Sequence, residues 1–308
     1  MERAAMRLKT RSKAFVQRLL KPGLAGIHAR LDQLEATRTD TVGMWRGGLA
    51  DGWVVHPDGV EAVVSEEQTA KYRDELAFWV SFIREPDRRA GIGDYEETFG
   101  RWQRDRIVEL GRFVGAADER ELRAWCERQS VVEIGPGPYP AVAAARWRRA
   151  IAVDPLADGY VREGLLPKRS HCDEVVFVAA PGESIPVPGG TADLVIAENC
   201  LDHVSEPARV MLECRRVLRR GGLLWLLVDL MDYSDHMHPH SFSEEKLRQL
   251  IATTGFEVVR DRVSKDHRSH PNAYGEYRAL LAKPGGTRDV AGATTTIRTA
   301  ELAQAIKA

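Results

Sequence analysis

The sequence predicts an α/β domain of the doubly wound kind, with a mostly parallel seven-stranded sheet and a helical N-terminal addition. Three observations predict it. "VVEIG", "AIAVDP", "EVVFVAA", "ADLVIAEN" and "GGLLWLLVDL" are five short apolar runs, and helical patterns separate most of them. Near-continuous apolar strands of this kind belong to a parallel sheet buried on both faces. "FEVVRDRVS" and "EYRALLAKP" follow as two further strands, and the first run of all ends in a glycine-bearing turn, "GPGPYP".

The elements ahead of the sheet come first. "MERAAMRLKTRSKAFVQRLLK" is strongly basic, with Leu8, Phe15 and Leu19 on one helical face. It lacks the unbroken apolar core of a secretory signal. A helix docked on its own chain or on a twin subunit fits the pattern, and weak contact with an anionic membrane surface is the alternative. Pro22 can open a second helix. Leu20, Leu24, Ile27, Leu31 and Leu34 then make a short a/d seam, which suits either a homo-oligomer or packing on the same chain. Residues 53–65, "WVVHPDGVEAVVS", read as a small hairpin turning at Pro57-Asp58-Gly59. Helical patterns follow over 67–84, 95–114 and 118–128. In the second of these Tyr95, Phe99, Trp102, Ile107 and Leu110 form an apolar stripe expected in the core.

These readings divide the chain into a mainly helical region over 1–129, a sheet domain over 130–284 and a polar tail over 285–308 with a short helix at 299–307. The 308 residues are 44% hydrophobic and 29% charged, enough for one large domain with a smaller addition. A net charge of -1 gives no global drive toward nucleic acid. Cys126, Cys172, Cys200 and Cys214 show neither a CxxC pair nor metal-type spacing, as expected of a reduced, cytoplasmic chain. No apolar run approaches the roughly 18 residues needed to span a bilayer.

The first strand carries the ligand argument. Glu133, Gly135 and Gly137 stand at its end, where glycines let the backbone turn tightly and approach a ligand. A dinucleotide fingerprint would place a third glycine where Pro140 stands, and no phosphate-loop lysine follows. Asp154 ends the second strand, where a carboxylate accepts hydrogen bonds from ribose hydroxyls. A nucleoside without phosphates fits both facts.

Four segments in order, "VVEIGPGPYP", "AIAVDP", "DLVIAENCLDHVSEPARVMLECRRVLRRGGLLWLLV" and "HSFSEEKLRQLIATTGFEVV", resemble class I S-adenosylmethionine-dependent methyltransferases of the type 11 kind. The resemblance covers 131–283, about half of the chain. It implies a class I methyltransferase-like fold and S-adenosyl-L-methionine as cofactor. By that resemblance Glu133, Gly135 and Gly137 would line the methionine part of the cofactor. Asp154 would bind the ribose, with Pro155 beside the adenine, and Glu198 and Asn199 would face the sulfonium. The family's usual adenine-side aspartate is Pro181 here, which leaves Gly182 and Glu183 to supply those contacts. Tyr139 replaces a frequent third glycine.

Ligands of open α/β sheets bind outside the C-terminal strand ends. His203 follows the fourth strand, His236, His238 and His240 the fifth, and His267 and His270 the sixth. If "HMHPH" is extended, His236, His238 and His240 project to one side. Ser241 with Glu244 would make a capping box that fixes His240 beside a helix start, and Gly255 would end that helix. Each of the three is a candidate general base for a hydroxyl nucleophile. A divalent cation could serve instead, with Asp202, Asp229, Asp232 and Asp235 as oxygen ligands. His203 belongs to the family turn and reads as a structural hydrogen-bonding residue, and Cys200 as a packed side chain. The expected activity is O-methylation of a polar small molecule or saccharide. N-methylation of a small amine and a non-catalytic cofactor-binding scaffold are the alternatives.

Overall fold

The computed structural model describes residues 66–85, 94–167, 171–265, 270 and 272–291. All of them belong to one compact unit, Gly48–Ala308. The basic N-terminal helix, the leucine seam after Pro22, the hairpin over 53–65 and the helix over 299–307 lie outside the described residues.

The sheet has seven strands, β1 (Ser130–Ile134), β2 (Arg149–Val153), β3 (Val175–Val178), β4 (Ala192–Glu198), β5 (Leu218–Leu230), β6 (Glu257–Ser264) and β7 (Gly275–Ala282). Their order is β3-β2-β1-β4-β5-β7-β6. β1 to β5 pair in parallel, and β7 lies antiparallel between β5 and β6. The order reverses between β1 and β4, which is where such sheets open a crevice for a ligand. β1, β4, β5 and β7 are almost wholly buried, as their apolar runs require. Edge strand β6 alternates instead, with one face in solvent.

Helices α1 (Glu66–Arg84), α2 (Tyr95–Val114) and α3 (Glu119–Cys126) precede the sheet. The Asp94 carboxylate accepts the amide of Glu97 at the start of α2, and Asp118 accepts that of Glu121 at the start of α3. Gly115, at φ +85°, ends α2 in the left-handed conformation. Phe99, Ile107 and Leu110 of the stripe are buried, but Trp102 is 43% exposed. The buried face also takes Gln103, Phe113 and Val114, which moves its centre away from Trp102 and leaves that ring at its margin. Leu110, Phe113 and Trp125 join Val131, Val142, Ile196 and Trp225 in one core, so α2 and α3 are part of the sheet's own packing.

Further on stand α4 (Ala157–Glu163), α5 (Pro207–Val217) and α6 (Glu244–Thr253). β1 is followed only by a 3-10 turn, Ala141–Ala144. Pro136, Pro138 and Pro140 remove three amide donors just where a full helix would begin. The capping box expected at Ser241 is corrected by two residues. Ser243 is the N-cap, its hydroxyl accepting the Lys246 amide, while the Lys246 ammonium holds the hydroxyl and carbonyl of Ser241. Gly255 follows α6 at φ +76°, as expected.

The polar tail begins as a strap. The Trp125 indole donates to the Asp289 carbonyl at 2.9 Å, Gln129 Nε2 donates to the Asp289 carboxylate at 2.7 Å, and the Ala291 amide donates to the Val114 carbonyl. Among the described residues no helix is long and apolar enough to cross a membrane.

Candidate active site

The turn after β1 forms the first wall. Gly135 and Gly137 have φ of +60° and +65°, which L side chains rarely adopt. A Cβ on Gly135 would stand 2.6 Å from the Cβ of Cys200, so this turn and the end of β4 are in direct backbone approach. Cys200 is fully packed there and its thiol is pushed well up by burial, which matches its reading as a packed side chain. Glu133 is buried beneath the turn. Its two oxygens accept the amides of Ala141 and Val142, each at 2.9 Å, and burial raises its carboxyl to about 7. Its side chain therefore holds the turn from below.

Asp154, at the end of β2, is 5% exposed. One oxygen accepts the Gly137 amide at 3.0 Å and the other the Leu156 amide at 2.8 Å. Each carboxylate oxygen has a second lone pair, so capacity for two hydroxyl donors remains. Burial raises its carboxyl to about 6, against the pull of those two amides. Pro155 is half-buried beside it. Gly182 is buried, and a Cβ there would come 3.0 Å from the Ile134 side chain, so this loop lies close against β1. One Glu183 carboxylate oxygen accepts the amides of Ser205 and Glu206 just ahead of α5.

Helix α1 lies across this edge. The Trp79 ring would meet a Cβ on Gly137 at 3.3 Å. Burial, with Asp154 next in weight, raises the Glu75 carboxyl to about 7. The Lys71 ammonium donates to the His203 carbonyl. Tyr139 packs on Phe99 with ring centroids 4.5 Å apart and lies among Trp79, Phe82 and Ile83. The ring at this position joins the turn after β1 to α1 and α2.

At the end of β4, Glu198 receives the Trp225 indole at 2.6 Å and pairs with Arg106 at 3.1 Å. Asn199 adopts φ +49°, the only positive φ among described non-glycine residues, and its side chain accepts the Asp229 amide at 3.2 Å.

The histidine stretch is a turn and not an extended run. Asp235 Oδ1 accepts the amides of Met237 and His238, and the Asp235 amide donates to the His238 carbonyl. An Asx turn of this kind bends the chain and sends the three imidazoles apart. His236 is 53% exposed and pairs with Asp74 of α1 at 3.4 Å. His240 Nε2 lies 3.2 Å from the Ser205 carbonyl, and its amide donates to the Asp202 carbonyl. His238 turns inward, its ring 4.5 Å from His203 and 4.8 Å from His270 between centroids. Burial raises the Asp202 carboxyl to about 7 and, with His238, lowers His203 to about 3. Asp229 is buried and accepts the His270 amide at 2.8 Å, whereas Asp232 is exposed. His267 lies outside the described residues. The structure thus brings His203, His238 and His270 together with Asp202 and Asp235. The signal for that grouping was strand order, since His203 and His238 follow the adjacent parallel strands β4 and β5 and His270 precedes β7, which pairs with β5; spacing along "HMHPH" was not.

Comparison with known proteins adds the following. Residues 132–226 match the family model described as "Methyltransferase domain". An uncharacterized methyltransferase of Mycobacterium sp. (strain JLS) is 27% identical over 155 residues, 48% of this chain and 54% of that protein. A probable S-adenosylmethionine-dependent methyltransferase of Mycobacterium tuberculosis (strain H37Rv) is 28% identical over 150 residues, 46% of this chain and 53% of that protein. The chain spans about half the length of the curated relatives it matches. Among solved structures, a SAM-dependent methyltransferase from Leishmania major aligns with a TM-score of 0.50 and 13% identity, over 71% of this chain and 87% of that one. That likeness is one of fold.

Proposed function

This chain carries a class I methyltransferase domain, and we propose that it transfers a methyl group from S-adenosyl-L-methionine to a hydroxyl of a polar small molecule or saccharide. The residues at the β1 and β2 ends suit this cofactor. Gly135 and Gly137 admit close approach, and Asp154 keeps lone pairs for two ribose hydroxyls. The cofactor supplies a methyl already activated on a sulfonium, so the protein's work is alignment and removal of the acceptor's proton.

One observation carries the choice of acceptor. The rim facing the cofactor edge is polar, with His203, His238, His270, Asp202 and Asp235 gathered in it. An apolar acceptor would favour an aromatic or aliphatic lining. A hydroxyl nucleophile must lose a proton, and imidazoles here can either take it or hold a cation that makes it more acidic. Several carboxylates and imidazoles converging on one rim also suit the many hydroxyls of a sugar.

The test is a screen of acceptor classes with isotopically labelled cofactor. Label in an ether of a polyhydroxylated acceptor supports the reading. Label found only on amines would replace it with N-methyl transfer.

A further inference from the structure

We propose that Asp202, His203 and His238 bind one divalent transition-metal ion of borderline softness, of the zinc or cobalt(II) type. Their ligand atoms all lie within 4.8 Å of one another, and His203 Nε2 stands 3.8 Å from Asp202 Oδ2. They come from the turn after β4 and the loop after β5, two neighbouring strands. Metal bonds of roughly 2.0–2.2 Å would draw the three groups together.

Two features beyond proximity point to a ligand. Asp202 is 1% exposed, yet neither carboxylate oxygen has a hydrogen-bond partner among the described residues. Buried polar atoms of this kind are costly unless something else satisfies them. Lys71 lies near Asp202, but its ammonium is directed to the His203 carbonyl. The second feature is Asp235, whose Oδ1 is 3.0 Å from His238 Nδ1. A proton shared there fixes the tautomer and leaves the Nε2 lone pair for an ion, as in metal sites with a carboxylate behind the histidine. Two imidazoles with one carboxylate favour a borderline ion over magnesium or calcium, which take oxygen donors.

Three protein ligands leave positions for an exogenous oxygen. The ion's role, though not its binding, rests on the methyl-transfer reading. An acceptor hydroxyl in an open position would lose its proton to water. Its oxygen would then bond to the methyl carbon as the carbon–sulfur bond breaks, with that electron pair going to sulfur.

The test titrates cobalt(II), and zinc in parallel, into the chelator-treated full chain, by calorimetry and visible absorption. S-adenosylhomocysteine is titrated separately into the same preparation. One ion per chain is expected. Asp235→Asn should weaken it about 10- to 100-fold, and Asp202→Asn and His238→Ala more than that. Asp202→Asn preserves shape, and Asp235→Asn changes an exposed side chain, so at least one variant reports from a folded chain, verified by circular dichroism. No ion bound by folded wild type, or an affinity that none of the three substitutions moves, would overturn the proposal. Ion binding without S-adenosylhomocysteine binding would sink the methyl-transfer reading and leave the metal site standing. The reverse pattern would do the opposite.

Discussion

Asp154 Oδ2 accepts the amide of Gly137 at 3.0 Å, which ties the end of β2 to the turn after β1. The same carboxylate that would bind the ribose therefore also shapes the loop that would hold the rest of the cofactor. A pH dependence follows from its burial. Its folded-state carboxyl is raised from 3.8 to about 6. On its own account, that group's contribution to stability is present below the unfolded value and lost as pH rises through about 6. Cofactor hydroxyls donate to the ionised form, so S-adenosylhomocysteine affinity should rise as pH climbs through about 6. Glu75 titrates nearby, so calorimetry should compare two variants. Asp154→Asn should flatten the rise, and Glu75→Gln should keep it.

Gly137→Val should abolish cofactor binding while the sheet stays folded. The residue's φ is +65° and its Cβ would press on Trp79 at 3.3 Å. A β-branched side chain tolerates neither condition. Titration of S-adenosylhomocysteine into the variant, with circular dichroism as the folding control, checks this. Normal affinity would place the cofactor elsewhere.

Among the histidine-to-alanine variants the effects should be unequal. His238→Ala should lower single-turnover methyl transfer on the order of 10²- to 10⁴-fold, the range for loss of a positioned catalytic group. His236→Ala should change it little, because that ring is 53% exposed and pairs only with Asp74 among the described residues. His240→Ala should fall between them, since its ring touches the Ser205 carbonyl beside the rim. Equal rates in all three would remove the rim from the chemistry.

Removal of the strap should cost stability and spare catalysis. Asp289→Ala deletes the acceptor for Gln129 and the partner of Arg128. A buried-to-half-buried hydrogen bond of this kind contributes about 0.5–1.5 kcal/mol. Denaturant unfolding should register that loss, while cofactor affinity stays unchanged.

The inner strands of the sheet were legible in the sequence because each had to be apolar on both faces. The runs ending at Ile134, Val153, Glu198 and Leu230 announce themselves by composition alone. The glycine turn and Asp154 were legible for a similar reason: backbone geometry and strand-end position restrict what can stand there. The rim of histidines and aspartates was not. Asp235 captures two amides two and three residues ahead and folds "HMHPH" back on itself, and nothing in the alternation of that stretch shows it. His203 belongs to a distant segment and joins His238 only through strand pairing. The roles of Tyr139 and Trp79, which bring α2 and α1 onto the turn after β1, likewise need the tertiary fold.

The most direct test of the central claim is methyl transfer from labelled S-adenosyl-L-methionine, measured side by side for wild type and Asp154→Ala with a polyhydroxylated acceptor found by screening. The account expects label in the acceptor with wild type. It expects a cofactor affinity about 10- to 100-fold weaker in the variant, as loss of a charge-assisted hydrogen bond implies. Folded wild type that neither binds S-adenosylhomocysteine nor transfers label to any acceptor class would contradict it.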